Sequence, residues 1–296
     1  MIRKADKMVI GIILSIMVAI FWALGEVSYS KISKKYDRLN IFMYTYFFRV
    51  LIYLLVVFIF KRTLYGTFNT EILLSMLPII LCDLFASMVV NIAVFNGKLT
   101  VVSPIMAAYP VLDIVLGYFL LNESIGLVEI VLSFLICLSI VLLAINVPKS
   151  EHAPHPVKGI LFAVIYMLLV AFSTYFEKSI YVINFTVYDL YYYKGMIYTL
   201  VSVLFFIIVL LSPAKLEKPN INIMKGCALT PIGNVLYSFA LNFGLMSIVA
   251  PISSLYSVLT NIVSRIFLRE NLSIKERICI ATIIISTIVL IILGFI

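Results

Sequence analysis

Residues 93–123 read AVFNGKLTVVSPIMAAYPVLDIVLGYFLLNE, and residues 240–270 read ALNFGLMSIVAPISSLYSVLTNIVSRIFLRE. Laid over one another at a shift of 147 without a gap, they place Ala93 on Ala240, Gly97 on Gly244, Pro104 on Pro251, Tyr109 on Tyr256 and Glu123 on Glu270. Just beyond them Glu129 falls on Glu276. Apolar composition alone does not produce matches of Gly, Pro, Tyr and Glu, so the second half of the chain repeats the first. A shift of 145 aligns Tyr46, Arg49 and Tyr53 with Tyr191, Lys194 and Tyr198, and a shift of 148 aligns Gly11 with Gly159.

The repeated unit is built for a membrane. Hydrophobic residues make up 64% of the 296 residues and charged residues 12%, with a mean hydropathy of +1.16. Soluble domains hold about 45–50% apolar and about 25% charged residues. A bilayer core of about 30 Å takes roughly 20 helical residues. The chain divides into ten apolar stretches of that size, expected at 9–30, 40–60, 72–95, 99–121, 124–146, 158–181, 187–211, 224–246, 248–268 and 273–296. The fold class is therefore all-α and integral to the membrane. Residues 1–147 form a first five-helix repeat, 148–157 a proline-rich linker and 158–296 a second repeat. An odd number of spans makes the second copy enter from the opposite face, so the repeats are expected to be inverted, enclosing a central cavity as in many carriers. The first stretch follows basic Arg3 and Lys4 without a small-residue cleavage site and reads as a retained helix.

Several function classes drop out. Cys82, Cys137, Cys227 and Cys279 fall inside spans, where thiols behave as small hydrophobes. His152 and His155 in the linker lack the companions of a metal site, and HExxH, GxSxG and P-loop patterns are missing, so neither an enzyme nor a nucleotide-driven pump is indicated. No cofactor is called for. The net charge of +8 sits mostly in loops and suits anionic lipid headgroups; it gives no reason to invoke nucleic acid.

Polar side chains inside spans outline a pathway, because hydrogen-bonding groups in hydrocarbon usually turn toward the bundle interior or water. Asp83, Ser87 and Asn91 recur every four residues on one helical face, and Thr230, Asn234 and Ser238 repeat the stripe at a shift of 147. They read as facing cavity walls, or as glue between packed helices. Arg49 and Lys194, each flanked by tyrosines, are suited to a substrate carboxylate or phosphate, to neutralising an intramembrane acid, or to anchoring at the membrane surface. Trp22, Glu26 and Tyr29 share a face, where Glu26 can bind a cationic group, exchange a proton, or pair with Lys31 or Arg49. Tyr109 and Asp113 share another, matched by Tyr256 and Thr260. Pro110 removes a helix hydrogen bond and frees the carbonyl of Met106; Ser257 stands at the matching place. The candidate substrate-binding set is thus Trp22, Glu26, Arg49, Asp83, Ser87, Asn91, Tyr109, Asp113, Lys194, Asn234, Ser238 and Tyr256. The fifth and tenth spans are nearly free of strongly polar groups and are expected to face lipid or another subunit. Ser273 and Glu276 form a capping-box pattern.

The Trp22-Ala23-Leu24-Gly25 stretch, Arg49, the Ala93–Glu123 segment and its copy Ala240–Glu270 together resemble the EamA-type carriers of the drug/metabolite transporter superfamily, over nearly the whole chain. The resemblance implies eight helices (spans one to four and six to nine) around a cavity, and export of amino acids, other metabolites or drugs. Some shorter relatives exchange organic cations for protons through a first-helix glutamate, to which Glu26 is similar. Asn122 and Arg269 depart from the pattern, standing where glycine often precedes the glutamate. The expected function is alternating-access export of a small polar or zwitterionic metabolite such as an amino acid, from a multi-pass protein of the cell membrane. Proton-coupled efflux of organic cations through Glu26, or flipping of a lipid-linked substrate, are the alternatives. On orientation two arguments disagree. An internal amino terminus leaves about thirteen Lys and Arg outside against about six inside, contrary to the positive-inside rule, whereas the resemblance implies internal termini. Labelling at Ser150→Cys in an otherwise cysteine-free variant decides between them.

Overall fold

The computed structural model of the chain describes residues 4–33, 35–61, 69–97, 99–122, 126–145, 155–213 and 216–268, and scattered positions between 274 and 289. Most of the 148–157 linker with Ser150 and His152, the side chain of Cys137, the Ser273–Glu276 pair and most of the tenth predicted span lie outside the described residues. The described residues are all-helical. The helices are α1 (Lys4–Ser33), α2 (Arg38–Lys61), α3 (Thr70–Asn96), α4 (Leu99–Met106), α5 (Pro110–Leu120), α6 (Leu127–Ile145), α7 (Pro156–Val182), α8 (Val187–Leu211), α9 (Ile221–Phe243), α10 (Met246–Ser254) and α11 (Tyr256–Leu268). Seven described segments are long and apolar enough to cross a membrane.

Local chemistry sets the ends. Asn69 and Asn220 cap α3 and α9, each side chain accepting from two first-turn amides, which replaces hydrogen bonds that the first turn lacks. Thr186 and Asp189 form a reciprocal capping box on α8. Gly97 and Gly244, partners in the repeat, close α3 and α9 with the same 2.8 Å bond, to the carbonyls of Ala93 and Ala240. Asn122, after α5, has φ 49°, a left-handed conformation that glycine adopts freely and asparagine tolerates. That explains how asparagine serves where the resemblance leads one to expect glycine.

Two expected spans are broken. The fourth is α4 and α5, separated by a turn at 107–109 with Pro110 as the first residue of the new helix. The ninth is α10 and α11, separated at Leu255. The second break has no proline of its own, so Pro110 is not what both breaks require. Both follow an in-helix proline, Pro104 or Pro251, and both restart beside the aligned tyrosines, Tyr109 and Tyr256. Near the breaks the backbone tightens, with Leu255 N bonded to Ile252 O at 3.2 Å and Val111 N to Ala108 O at 3.2 Å.

Packing follows the repeat. Helix α1 lies along α9, α3 along α7, and α2 along α8. The first helix of each half therefore packs on the third helix of the other, and the second helices pack on each other, the exchange that a two-fold operation produces. Aligned glycines make the matching crossings: a Cβ on Gly159 would lie 2.5 Å from Gly97 Cα, and one on Gly11 would lie 3.1 Å from Gly244 N. Small residues of this kind let helix backbones approach closely where lipid supplies no hydrophobic drive to associate. Helix α6 packs on α4, α5 and α10 and presents Leu127, Val131, Phe134 and Leu138 outward.

Candidate functional site

Helices α1, α2, α3, α7, α8, α9 and α11 enclose a central cavity of about 1040 Å³ of atom-free space, part of it continuous with solvent. The side chains facing it are unlike the lipid-facing surface. Two cations, Arg49 and Lys194, and three acids, Glu26, Asp83 and Glu177, line it. Trp22, Tyr166, Tyr237 and Tyr256 supply aromatic wall, and Ser87, Asn91, Asn234 and Ser238 supply hydrogen-bonding groups.

Four of the charges form a ladder across the two halves. Asp83 of α3 lies 3.7 Å from Arg49 Nη1 of α2 and 3.4 Å from Lys194 Nζ of α8, and Lys194 lies 3.6 Å from Glu177 of α7. Tyr198 donates to Asp83 at 3.0 Å and Tyr181 donates to Glu177 at 2.9 Å. Arg49 and Lys194 are only 4% and 3% exposed, so neither is an anchor at the membrane surface. Burying ions is costly unless they are paired and hydrogen-bonded, and the ladder meets that requirement. Around it Tyr46, Tyr53, Tyr191 and Tyr198 are fully buried; the Tyr53 and Tyr191 rings meet edge to face at 4.8 Å.

Glu26 stands apart. Its Oε2 accepts from Ser103 Oγ at 2.6 Å and Thr260 Oγ1 at 3.2 Å, and among the described residues no cation pairs with it. Neither Lys31 nor Arg49 fills that place, since Arg49 is engaged by Asp83. Beside it, Trp22 donates to Asn234 at 2.9 Å and meets the Tyr256 ring edge to face at 5.5 Å. Gly233 makes room for the Trp22 indole, which occupies the space a Cβ would take. Among the described residues, three of the buried donors without a hydrogen-bond partner belong to this site: Arg49 Nε, Asn91 Nδ2 and Tyr256 Oη. All three residues line the cavity. Buried polar atoms are rarely left unpaired in a native protein, so this is where a ligand's acceptor atoms have the most to gain.

The sequence profile of the EamA-like transporter family matches residues 9–145 and again residues 157–292. The chain belongs to that family. As an EamA-like transporter, in the drug/metabolite transporter superfamily, it is a multi-pass membrane protein of two family repeats, and its class of activity is the transport of small molecules. Comparison with curated proteins finds none that matches it in sequence. A solved structure, titled only "Crystal structure of protein", is similar with a TM-score of 0.71 at 13% identity, covering 96% of this chain and 98% of its own. That likeness speaks to the fold alone.

Ten of the twelve candidate residues line the transporter's cavity: Trp22, Glu26, Arg49, Asp83, Ser87, Asn91, Lys194, Asn234, Ser238 and Tyr256. Tyr109 and Asp113 do not. Tyr109 is buried with its hydroxyl 3.4 Å from the carbonyl of Ala250, and Asp113 is fully buried on α5. The two residues do share a face, joined by the helical bond from Asp113 N to Tyr109 O at 3.1 Å, but Tyr109 packs against Ala250 and Tyr237 rather than into the cavity. Sequence reasoning passed over Tyr166, Ser173 and Tyr237, and left Glu177 out of the candidate set. The signal for α7 was present, because Tyr166, Val170, Ser173 and Glu177 follow the helical spacing that puts them on one face.

Proposed function

We propose that this EamA-like transporter is an alternating-access carrier that exports a small zwitterionic metabolite such as an amino acid. One observation carries the reading. Among the described residues, a single cavity holds an acid without a cationic partner, Glu26, and hydrogen-bond donors without acceptors, Arg49 Nε and Asn91 Nδ2. An ammonium group suits the first, and a carboxylate suits the second. The swapped pairing of α1 with α9 and α3 with α7 supports inverted repeats and hence two exchangeable accesses to a central site. Export from the cell membrane is the direction and location that the family resemblance implies.

Purified protein in liposomes, loaded with each member of an amino-acid and metabolite panel, should release at least one zwitterion faster than protein-free vesicles. Release of none of them would overturn the reading. A second reading, exchange of an organic cation for a proton, is favoured by the charge count. With all five groups ionised the cavity carries one more negative than positive charge, and Trp22, Tyr166 and Tyr256 offer aromatic faces to a cation near Glu26. Glu26→Gln separates the two. In the cation reading it abolishes both substrate movement and the accompanying proton flux, whereas in the zwitterion reading it weakens substrate binding with no proton flux to lose.

A further inference from the structure

A second cavity, separate from the central one, lies between the C-terminal end of α1 and the N-terminal end of α9. It holds about 780 Å³ of atom-free space, part of it open to solvent, and is lined by Lys31, Lys35 and Lys225 with Ser28, Tyr36 and Asn222. The side chain of Ile32 forms the partition: its Cδ1 fills the space beside Gly226, 2.5 Å from where a Cβ would stand. The loop after α1 is held in place from the α9 side. Asn220 Nδ2 donates to Tyr36 Oη at 2.8 Å, while Lys35 Nζ lies 5.5 Å from the centroid of the Tyr36 ring. Two acids of the neighbouring loops accept backbone amides. Asp37 Oδ1 accepts from Leu39 and Asn40, and Glu217 Oε1 accepts from Asp37 N.

We propose that this cavity is a binding site for a phosphate group, the headgroup of an anionic lipid or a soluble phosphate. Three lysines line one concavity, with a hydroxyl, a phenol and an amide to complete the coordination of phosphate oxygens. The first turn of α9, which contributes Asn222, adds the positive end of a helix dipole. The site stands at headgroup depth, because Lys31 follows the last apolar turn of α1 and Lys225 falls in the second turn of α9. Basic pockets between spanning helices bind anionic headgroups in this setting. The exposed side chains of Ile221 and Met224 nearby offer apolar surface to acyl chains.

The melting temperature of the purified protein tests this in phosphatidylcholine nanodiscs, in nanodiscs with part of that lipid replaced by phosphatidylglycerol, and in phosphatidylcholine nanodiscs with inorganic phosphate. Two double variants remove equal charge. Lys35→Gln with Lys225→Gln empties the pocket, and Lys158→Gln with Lys218→Gln, both exposed, removes lysines outside it. Phosphatidylglycerol should raise the melting temperature of the wild type by about 2–4 °C. The pocket variant should lose that rise and the control should keep it. A rise with inorganic phosphate that only the pocket variant loses assigns the site to a soluble phosphate. Two results overturn the proposal: no rise with either probe, or equal loss in both double variants, which is the behaviour of surface charge alone. The assay reads no transport, so its failure leaves the carrier reading untouched.

Discussion

Replacing Asp83 by asparagine should be among the most damaging conservative changes in the cavity. The carboxylate faces Lys194 at 3.4 Å and Arg49 at 3.7 Å. At an effective dielectric near 20, each contact is worth about 4–5 kcal/mol of gross attraction, most of it offset by desolvation. Asparagine keeps the shape and an acceptor for Tyr198 but leaves Lys194 with Glu177 alone and Arg49 with no acid among the described residues. Stranding a buried charge costs about 3–5 kcal/mol. Because the Asp83 side chain is 17% exposed to the cavity, water recovers part of this, and about 3 kcal/mol is the expected loss. That corresponds to a fall of about 6–12 °C in the melting temperature of detergent-purified protein. Arg49→Gln in the same chain removes the stranded guanidinium, so the double variant should be more stable than the sum of the two singles by about 1–3 kcal/mol. Additive losses, or an Asp83→Asn protein melting within about 2 °C of the wild type, would refute the ladder as a coupled unit.

Gly159→Ala should cost about 1–3 kcal/mol, because the new methyl would meet the Gly97 backbone at 2.5 Å. Gly11→Ala, at 3.1 Å from Gly244 N, should cost less, and paired melting curves order the two. Asn91→Leu removes an unpaired donor from the cavity wall and should raise the KM of a carboxylate-bearing substrate about tenfold while leaving protein yield intact; an unchanged KM would take Asn91 out of the site. Pro110→Ala should preserve transport, since the chain also breaks at Leu255 without a proline at the matching place, and vesicle efflux rates compare it with the wild type directly.

Much of this protein was legible before any coordinates. The Gly97/Gly244, Pro104/Pro251 and Tyr109/Tyr256 matches specify two copies of one unit, and the apolar runs place the unit in a membrane. The stripe Asp83-Ser87-Asn91 and its counterpart Thr230-Asn234-Ser238 find a shared cavity, because helical periodicity turns spacing into a face and polar groups facing hydrocarbon are costly. Within an unbroken helix that inference holds residue by residue. It does not say which way a shared face turns: Tyr109 and Asp113 keep their helical spacing yet stand outside the wall, while the aligned Tyr256 lines it. It also fails to foresee the break at Leu255, which follows Pro251 but has no proline at the restart as α5 has in Pro110.

What tertiary structure alone decided is which charges meet. In sequence Glu26 had Lys31 and Arg49 as candidate partners, and Glu177 was only a residue one turn beyond Thr174. Packing α3 along α7 and α2 along α8 gives Asp83 and Glu177 the two buried cations and leaves Glu26 to Ser103 and Thr260. Periodicity fixes the direction of a side chain relative to its own helix. The partner it reaches depends on the rotation and depth of neighbouring helices, which the summed close packing of all of them determines.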